Sequence, residues 1–158
     1  MTAGGYRGAV EEIDRAIVAA LTTDGRLSYT DLADRVGLSV SAVHQRVRRL
    51  EQRGVIAGYT ARVSYEALDL PLTAFVAIRP FDPSQPDDAP ERLASLAEID
   101  SCYSVAGEDF YLLLVRVASP ADLERLLQQI RTAANVTTRT TVVLSTPYEN
   151  RPPKVVTE

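Results

Sequence analysis

The chain has 158 residues, of which 46% are hydrophobic and 24% are charged, a composition typical of a folded globular protein. No apolar run approaches the ~20 residues that span a membrane, and the first residues lack the apolar core of a secretory signal. Cys102 is the only cysteine, which excludes an intrachain disulfide and a cysteine-cluster metal site. We therefore expect a cytoplasmic protein with no membrane partner, built as one domain or two small ones.

The formal net charge of −4 is unevenly distributed along the chain. Residues 1–65 carry nine arginines and seven acidic residues, whereas residues 66–158 carry eight basic and fourteen acidic residues. Residues 40–54 contain four arginines and one glutamate. Codon bias is an alternative explanation for the choice of arginine, but it does not explain the clustering. A basic segment in an otherwise acidic protein indicates phosphate contacts at one place.

Hydrophobic spacing predicts three short helices in the N-terminal third of the chain. The first covers residues 10–23, the second covers 29–36, and the third extends from the N-cap Ser39 to about Arg53. Apolar residues recur on one side of each helix, at Val10, Ile13, Ile17, Ala20, Leu21, Leu32, Ala33, Val36, Val43, Val47 and Leu50. Each helix is therefore expected to bury one face.

The connection between the second and third helices is short. Four residues, Val36 to Ser39, permit only a sharp crossing, and Gly37 suits the positive φ at which helices commonly end. This is the helix-turn-helix pattern. Three-helix scaffolds that do not bind DNA use such turns as well, but the basic third helix favours DNA.

The periodicity changes after the third helix. Residues 56–70 are predicted to form an extended linker strand, residues 71–150 a second domain, and residues 151–158 a tail. The predicted elements of the second domain are strands over 72–79, 100–106, 110–118 and 136–146 and helices over 89–99 and 120–134. Their β-α-β-β-α-β order is that of a ferredoxin-like unit. We therefore predict an α+β protein, with a winged-type helix-turn-helix domain in residues 1–55 followed by a ferredoxin-like domain.

The exposed side of the third helix carries the residues that could read DNA. Opposite its apolar stripe lie Ser41, His44, Gln45 and Arg48, with Ser39 and Val40 at the N-terminal end. Glutamine can pair with adenine and arginine with guanine, each contact giving about 1–3 kcal/mol of discrimination. Three further arginines, Arg46, Arg49 and Arg53, point elsewhere and suit phosphate contacts or ion pairs. A solvated charged face is the alternative for this helix alone.

Few residues suit catalysis or metal binding. His44 is the sole histidine, so no second imidazole or thiol cluster can complete a metal site. Cys102, between Ser101 and Tyr103, has no basic neighbour to lower its pKa. We predict no cofactor and no enzymatic activity; an enzyme on a ferredoxin-like domain is the weakest of the alternatives considered.

A turn between two predicted strands concentrates acidic side chains. Gly107, Glu108 and Asp109 can bind the ammonium group of an amino acid, with backbone N–H groups taking its carboxylate. An acidic turn facing solvent is the commoner use of such residues, and the residues alone favour that alternative.

Taken together, these segments resemble the leucine-responsive regulatory protein/AsnC family, also called feast/famine regulators, and especially its actinobacterial members. In the first half the resemblance rests on Ile13 to Arg15, Asp24 to Arg26, Leu32 with Ala33, Arg35 to Ser39, Arg46 to Glu51, Gly54 to Ile56, and Gly58 with Tyr59. In the second half it rests on Tyr103 to Gly107, Tyr111 to Leu114, and Arg139 to Val142.

The resemblance implies a DNA-binding transcription regulator that responds to an amino acid. It also implies homodimers formed through the sheets and the linker strand, assembling into a ring of four dimers with effectors bound between dimers. By position, the implied effector-binding residues are Tyr103, Val105, Gly107, Glu108, Asp109, Thr138 and Thr140, with Ser119 and Asp122 from a neighbouring subunit.

The acidic turn departs from the family pattern. Many members have Gly-Asp-aromatic-Asp, whereas this chain has Gly107, Glu108, Asp109 and Phe110. In a strand, a shift of one residue moves a side chain to the opposite face, so the sequence leaves the effector open. A ligand-insensitive architectural protein that bends DNA is the alternative function.

Overall fold

The computed structural model describes residues 11–82, 84 and 86–153. Val10 and the rest of residues 1–10, to which the sequence assigns the start of the first domain, lie outside the described residues, as does the end of the tail. The described residues form two compact units, residues 11–62 with 148–153 and residues 63–147. Within them, no helix is long and apolar enough to cross a membrane.

The first unit contains three helices, α1 (Glu12–Thr23), α2 (Tyr29–Val36) and α3 (Val40–Gln52), and its described part contains no strand. The predicted helix limits are confirmed to within two residues. The Ser28 hydroxyl accepts a hydrogen bond from the Asp31 backbone N–H at 3.0 Å, which begins α2. Gly37, at φ 68°, ends α2 in the left-handed conformation that the short turn requires.

The three helices enclose their own core. Six side chains are buried in it: Ile17, Leu32, Ala33, Val43, Val47 and Leu50. All were predicted to face inward from helical spacing. Because α3 contributes three of the six, its rotation about its own axis is fixed by packing.

The second unit has the predicted β-α-β-β-α-β order. Its elements are β1 (Leu72–Pro80), α4 (Ala89–Leu93), β2 (Ile99–Ser104), β3 (Tyr111–Val117), α5 (Pro120–Ala134) and β4 (Val136–Val142). The strands form one antiparallel sheet in the order β2-β3-β1-β4. β1 is therefore internal, as its apolar character on both faces predicts.

One face of this sheet is covered by helices. Ala74, Val76 and Ile78 of β1 are buried in the same cluster as Leu126 and Ile130 of α5. Since side chains alternate along a strand, the intervening residues lie on the opposite, open face.

Two sequence predictions for the second unit were wrong in extent. The helix predicted over 89–99 ends at Leu93. The next residues form turns, in which the backbone N–H of Leu96 donates to Leu93 O at 3.0 Å and that of Ile99 donates to Leu96 O at 3.1 Å. Leu96 thus packs against the core from a turn, and Ile99 packs against it from the start of β2. Their spacing in the sequence is the same as that of residues on one face of a helix, which explains the wrong prediction. The strand predicted over 136–146 ends at Val142.

Residues 56–70, predicted as an extended linker strand, form no strand within the single chain. Residues 56–70 contain only a single 3-10 turn, Glu66–Leu68, and no strand. A strand needs a neighbour for its backbone N–H and C=O groups, and the described sheet consists of four other segments.

Candidate DNA-binding surface and effector site

The outward side of α3 is a stripe of polar side chains. Val43, Val47 and Leu50 are fully buried on the inward side. The residues predicted to read DNA are all exposed, namely Ser39, Val40, Ser41, His44, Gln45 and Arg48. We call these six residues the α3 stripe.

The N-terminal end of the stripe is fixed by capping. The Ser39 hydroxyl accepts from the backbone N–H of Ala42 at 3.2 Å and lies 3.2 Å from the Ser41 hydroxyl. The cap holds the first turn of α3, whose N-terminus carries the positive end of the helix dipole. This end of the helix is consequently suited to approach an anionic backbone.

The arginines of α3 have different environments. Arg49 is exposed and Arg53 is half-buried. Arg46 instead points toward α1, where its Nη1 lies 2.8 Å from an Asp14 carboxylate oxygen and 2.8 Å from one of Glu11. The ion-pair alternative is therefore the one that the structure shows for Arg46, and the placement does not favour the predicted DNA contact.

The pKa values of this cluster agree with its geometry. The hydrogen bond from Arg46, followed by its charge, holds the pKa of Glu11 below the ordinary value, and hydrogen bonds to Glu11 and Asp14 raise the pKa of Arg46. Asp14 is only 2% exposed. A buried carboxylate of this kind needs a cation beside it. The role of Arg46 is therefore to pair with Asp14 within the domain.

The second candidate site surrounds the acidic turn between β2 and β3. The Val105 N–H donates to Phe110 O at 3.0 Å and the Phe110 N–H donates to Ile78 O at 3.0 Å, which closes the turn against β1. Gly107 has φ 146°, in the region that favours glycine. The turn is therefore part of the sheet and not a free loop.

A concavity lies beside this turn on the open face of the sheet. It measures about 380 Å³ and is lined by Phe75, Ala77, Val105, Asp109, Leu112, Arg139 and Thr141. Asp109 forms an ion pair with Arg139 there. Tyr103 is paired in register with Leu112, which places it on the same face, and Glu108 is exposed on the turn. An apolar surface next to a paired carboxylate and guanidinium is complementary to a zwitterion with an apolar side chain.

The other predicted effector residues lie elsewhere in the chain. Thr138 and Thr140 are paired in register with Ile78 and Val76, which places them on the helix-covered face. The Thr138 hydroxyl accepts a hydrogen bond from Arg131 of α5 at 3.1 Å. One chain therefore does not bring these threonines together with the acidic turn.

Ser119 and Asp122 form the N-terminal cap of α5. The Ser119 hydroxyl accepts from the Asp122 backbone N–H at 3.2 Å and donates to its carboxylate at 2.6 Å. This hydrogen bond, with a smaller contribution from Arg125, holds the pKa of Asp122 below the ordinary value. Both residues follow the end of β3 that is remote from the acidic turn.

Comparison with known proteins assigns both units. A model described as winged helix-turn-helix DNA-binding matches residues 10–57, and the Lrp/AsnC ligand binding domain matches residues 73–153. The chain belongs to the Lrp/AsnC family. It is thus a transcriptional regulator with a DNA-binding helix-turn-helix and a ligand-binding domain.

Relatives support this assignment over nearly the whole length. The HTH-type transcriptional regulator LrpA of Mycobacterium tuberculosis is 61% identical over 90% of this chain and 95% of its own. The leucine-responsive regulatory protein of Escherichia coli is 39% identical over 85% of each chain. The resemblance to actinobacterial members is thereby confirmed, and these relatives are regulators, which are not enzymes.

A solved structure of a relative contains an amino acid. The feast or famine regulatory protein from M. tuberculosis, complexed with L-methionine, matches with a TM-score of 0.89 and 60% identity, covering 92% of this chain and 100% of that one. The fold of this Lrp/AsnC chain agrees with that structure, as predicted.

In the described part of the chain, no cluster of three His, Cys, Asp or Glu residues could hold a metal ion.

Sequence reasoning missed several residues of these sites, among them Tyr29 and Arg139. Tyr29 of α2 lies against His44 of the α3 stripe, and no motif predicted that contact. Arg139 was noted only as part of the last strand, although it lines the concavity with Asp109. The register of β4 against β1, which pairs Arg139 with Ala77, is the information needed to place Arg139 in the concavity.

Proposed function

We propose that this regulator reads the major groove with the α3 stripe and that its assembly or DNA affinity responds to an amino acid. The observation that carries the first part is the exposure of the whole stripe on the side of α3 opposite its buried residues. A helix presented in this way by a helix-turn-helix fits the major groove, with its N-terminal residues nearest the bases. Arg49 and Arg53 would contact phosphates, and Arg46 is left out of the DNA-contacting set.

The proposed effector is an amino acid with an apolar side chain. A relative binds L-methionine, and the concavity beside the acidic turn offers Asp109 for an ammonium group and Arg139 for a carboxylate. Their mutual ion pair would open when a zwitterion enters. The concavity is bordered by Tyr103 and Val105 and by the turn residues Gly107 and Glu108.

The proposed partners are double-stranded DNA, the amino acid and further copies of the chain. Phe75 is 37% exposed on the open sheet face, and Leu112 and Leu114 lie on the same face. An apolar sheet face of this kind is suited to a second copy, giving a homodimer and then a tetramer of dimers. Phe75 and Leu112 also line the concavity, so the proposed effector would bind where copies of the chain meet. Within such an assembly, Ser119 and Asp122 would reach an effector from a neighbouring subunit. Thr138 and Thr140 stay in the proposed effector-binding set, although one chain does not bring them to the acidic turn.

We assign each proposed role to one of the predicted segments. Residues 1–55 bind DNA, residues 56–70 link the domains, residues 71–150 bind the effector and assemble, and residues 151–158 form a tail. The protein would act in the cytoplasm, where bacterial chromosomal DNA is accessible, and would have no catalytic activity.

Calorimetric titration with L-methionine, paired with light scattering and binding to a duplex from its own upstream region, tests this function. We expect saturable methionine binding, a change in assembly or DNA affinity, and at least tenfold weaker methionine binding by Asp109→Asn. Glu124→Gln removes an exposed acid on α5 and is the matched control. DNA binding that is unchanged across a panel of amino acids would indicate a ligand-insensitive architectural protein instead.

A further inference from the structure

Tyr29 and His44 form an aromatic pair at the edge of the α3 stripe. Their ring centroids are 5.1 Å apart and the planes are inclined by 79°, an edge-to-face arrangement. Tyr29 is the first residue of α2 and His44 is in the second turn of α3. The contact therefore joins the two helices of the helix-turn-helix on their outer surface.

This pair is not part of the hydrophobic core. Tyr29 is 39% exposed, His44 is exposed, and neither belongs to the buried cluster of the three helices. The Ser28 cap, which accepts from the Asp31 N–H at 3.0 Å, fixes the backbone from which the Tyr29 ring projects. The ring thus has a defined position from which it can restrict a neighbour.

An exposed histidine on a helix ordinarily samples several rotamers. A ring packed against the imidazole removes part of that freedom before DNA arrives, so less entropy is lost when the imidazole makes a contact. This restriction concerns the orientation of the imidazole and leaves the stability of the core largely untouched. Loss of the Tyr29 ring should consequently change the base preference of DNA binding more than it changes the stability of the fold.

We propose that Tyr29 is a positioning residue that orients His44 toward one base position, so that the preference at that position depends on both residues. The inference rests on the proposed reading of DNA by the α3 stripe. It goes further, because it assigns a role in specificity to a residue of α2 that lies outside that stripe.

Selection of duplexes from a random-sequence library by the full-length protein tests the inference. The variants are Tyr29→Ala, Tyr29→Leu, Tyr29→Phe, His44→Ala and the double variant Tyr29→Ala/His44→Ala. We expect the Ala and Leu variants of Tyr29 to lose about tenfold of discrimination at the same base position as His44→Ala. The double variant should lose no more than His44→Ala alone, and Tyr29→Phe should retain the wild-type preference. Thermal unfolding of each variant verifies that it is folded.

Different failures are distinguishable. If the Tyr29 variants weaken binding to all duplexes equally and leave every base preference intact, the inference is overturned. If Arg48→Ala relaxes one position while His44→Ala relaxes none, the inference fails although the stripe reads DNA. A wild-type protein that selects no sequence would overturn the proposed function together with the inference.

Discussion

Arg46 on α3 joins Asp14 on α1 through a guanidinium-to-carboxylate contact of 2.8 Å, with the Asp14 side chain 3% exposed and that of Arg46 21% exposed. The pair links two helices whose residues are far apart in the sequence. Because Gln45 and Arg48 of the same helix belong to the proposed DNA-reading stripe, the ion pair also helps to fix which side of α3 faces outward.

Replacing Arg46 with methionine should therefore destabilise the first unit. Methionine keeps an apolar stem but leaves the Asp14 carboxylate buried without its cation, which costs roughly 3 kcal/mol of the free energy of unfolding. Urea denaturation followed by circular dichroism measures the change. Arg48→Met is the control, since Arg48 is exposed and its loss should change stability by no more than about 0.5 kcal/mol. Equal losses for both variants would contradict a structural role for the pair.

The exposed arginines should separate into base-reading and phosphate-binding residues. Arg49→Gln is expected to weaken binding to all sequences and to reduce the slope of log affinity against log salt by about 1, because one phosphate contact and its counterion release are lost. Arg48→Ala should instead relax the preference at one base pair by about 1–3 kcal/mol. Salt titrations on matched and mismatched duplexes distinguish the two. The assignment fails if the two variants change specificity and salt dependence alike.

The elements of this fold were predictable where their signals are local. Ser28, Ser39 and Gly37 begin or end helices through contacts within three residues or through backbone conformation, so the sequence pattern is sufficient. The extent of α4 was not predictable. Leu96 and Ile99 continue a helical spacing although the chain has turned into β2, because both side chains reach the same core.

The sites were less predictable than the fold. The partner of Arg46 lies 32 positions away, and only the occurrence of Asp14 beside the apolar residues of α1 signals a buried charge in need of a cation. Thr138 and Thr140 share a sequence neighbourhood with Arg139, yet strand alternation places them on the opposite face of the sheet. Assigning site residues in β4 therefore requires its register.

Ser119 offers a test of whether it serves as a cap alone. Ser119→Ala removes the acceptor for the Asp122 backbone N–H and should lower stability by about 1 kcal/mol, whereas Ser119→Asp restores an acceptor and should recover most of it. Chemical denaturation measures both variants, and methionine titration follows in parallel. If methionine binding weakens in the alanine variant beyond what its stability change explains, Ser119 also contributes to the effector site, as the family resemblance implies.

Tyr59 should make stability depend on pH at the alkaline end. Its hydroxyl donates to Glu51 at 3.1 Å, and burial of the phenol together with this hydrogen bond raises the pKa of Tyr59 to about 12. As the pH rises above about 10, the unfolded chain releases this proton first, so the free energy of unfolding should fall until the folded tyrosine also ionises near pH 12.

The expected size of this effect is limited by exposure. Tyr59 is 53% exposed, so solvent screening reduces the loss to on the order of 1 kcal/mol or less. Comparing wild type with Tyr59→Phe isolates it, because the other titrating groups are common to both proteins. The wild-type curve should fall relative to that of the variant above pH ~10. Parallel curves would show that the hydrogen bond to Glu51 does not distinguish the folded from the unfolded state.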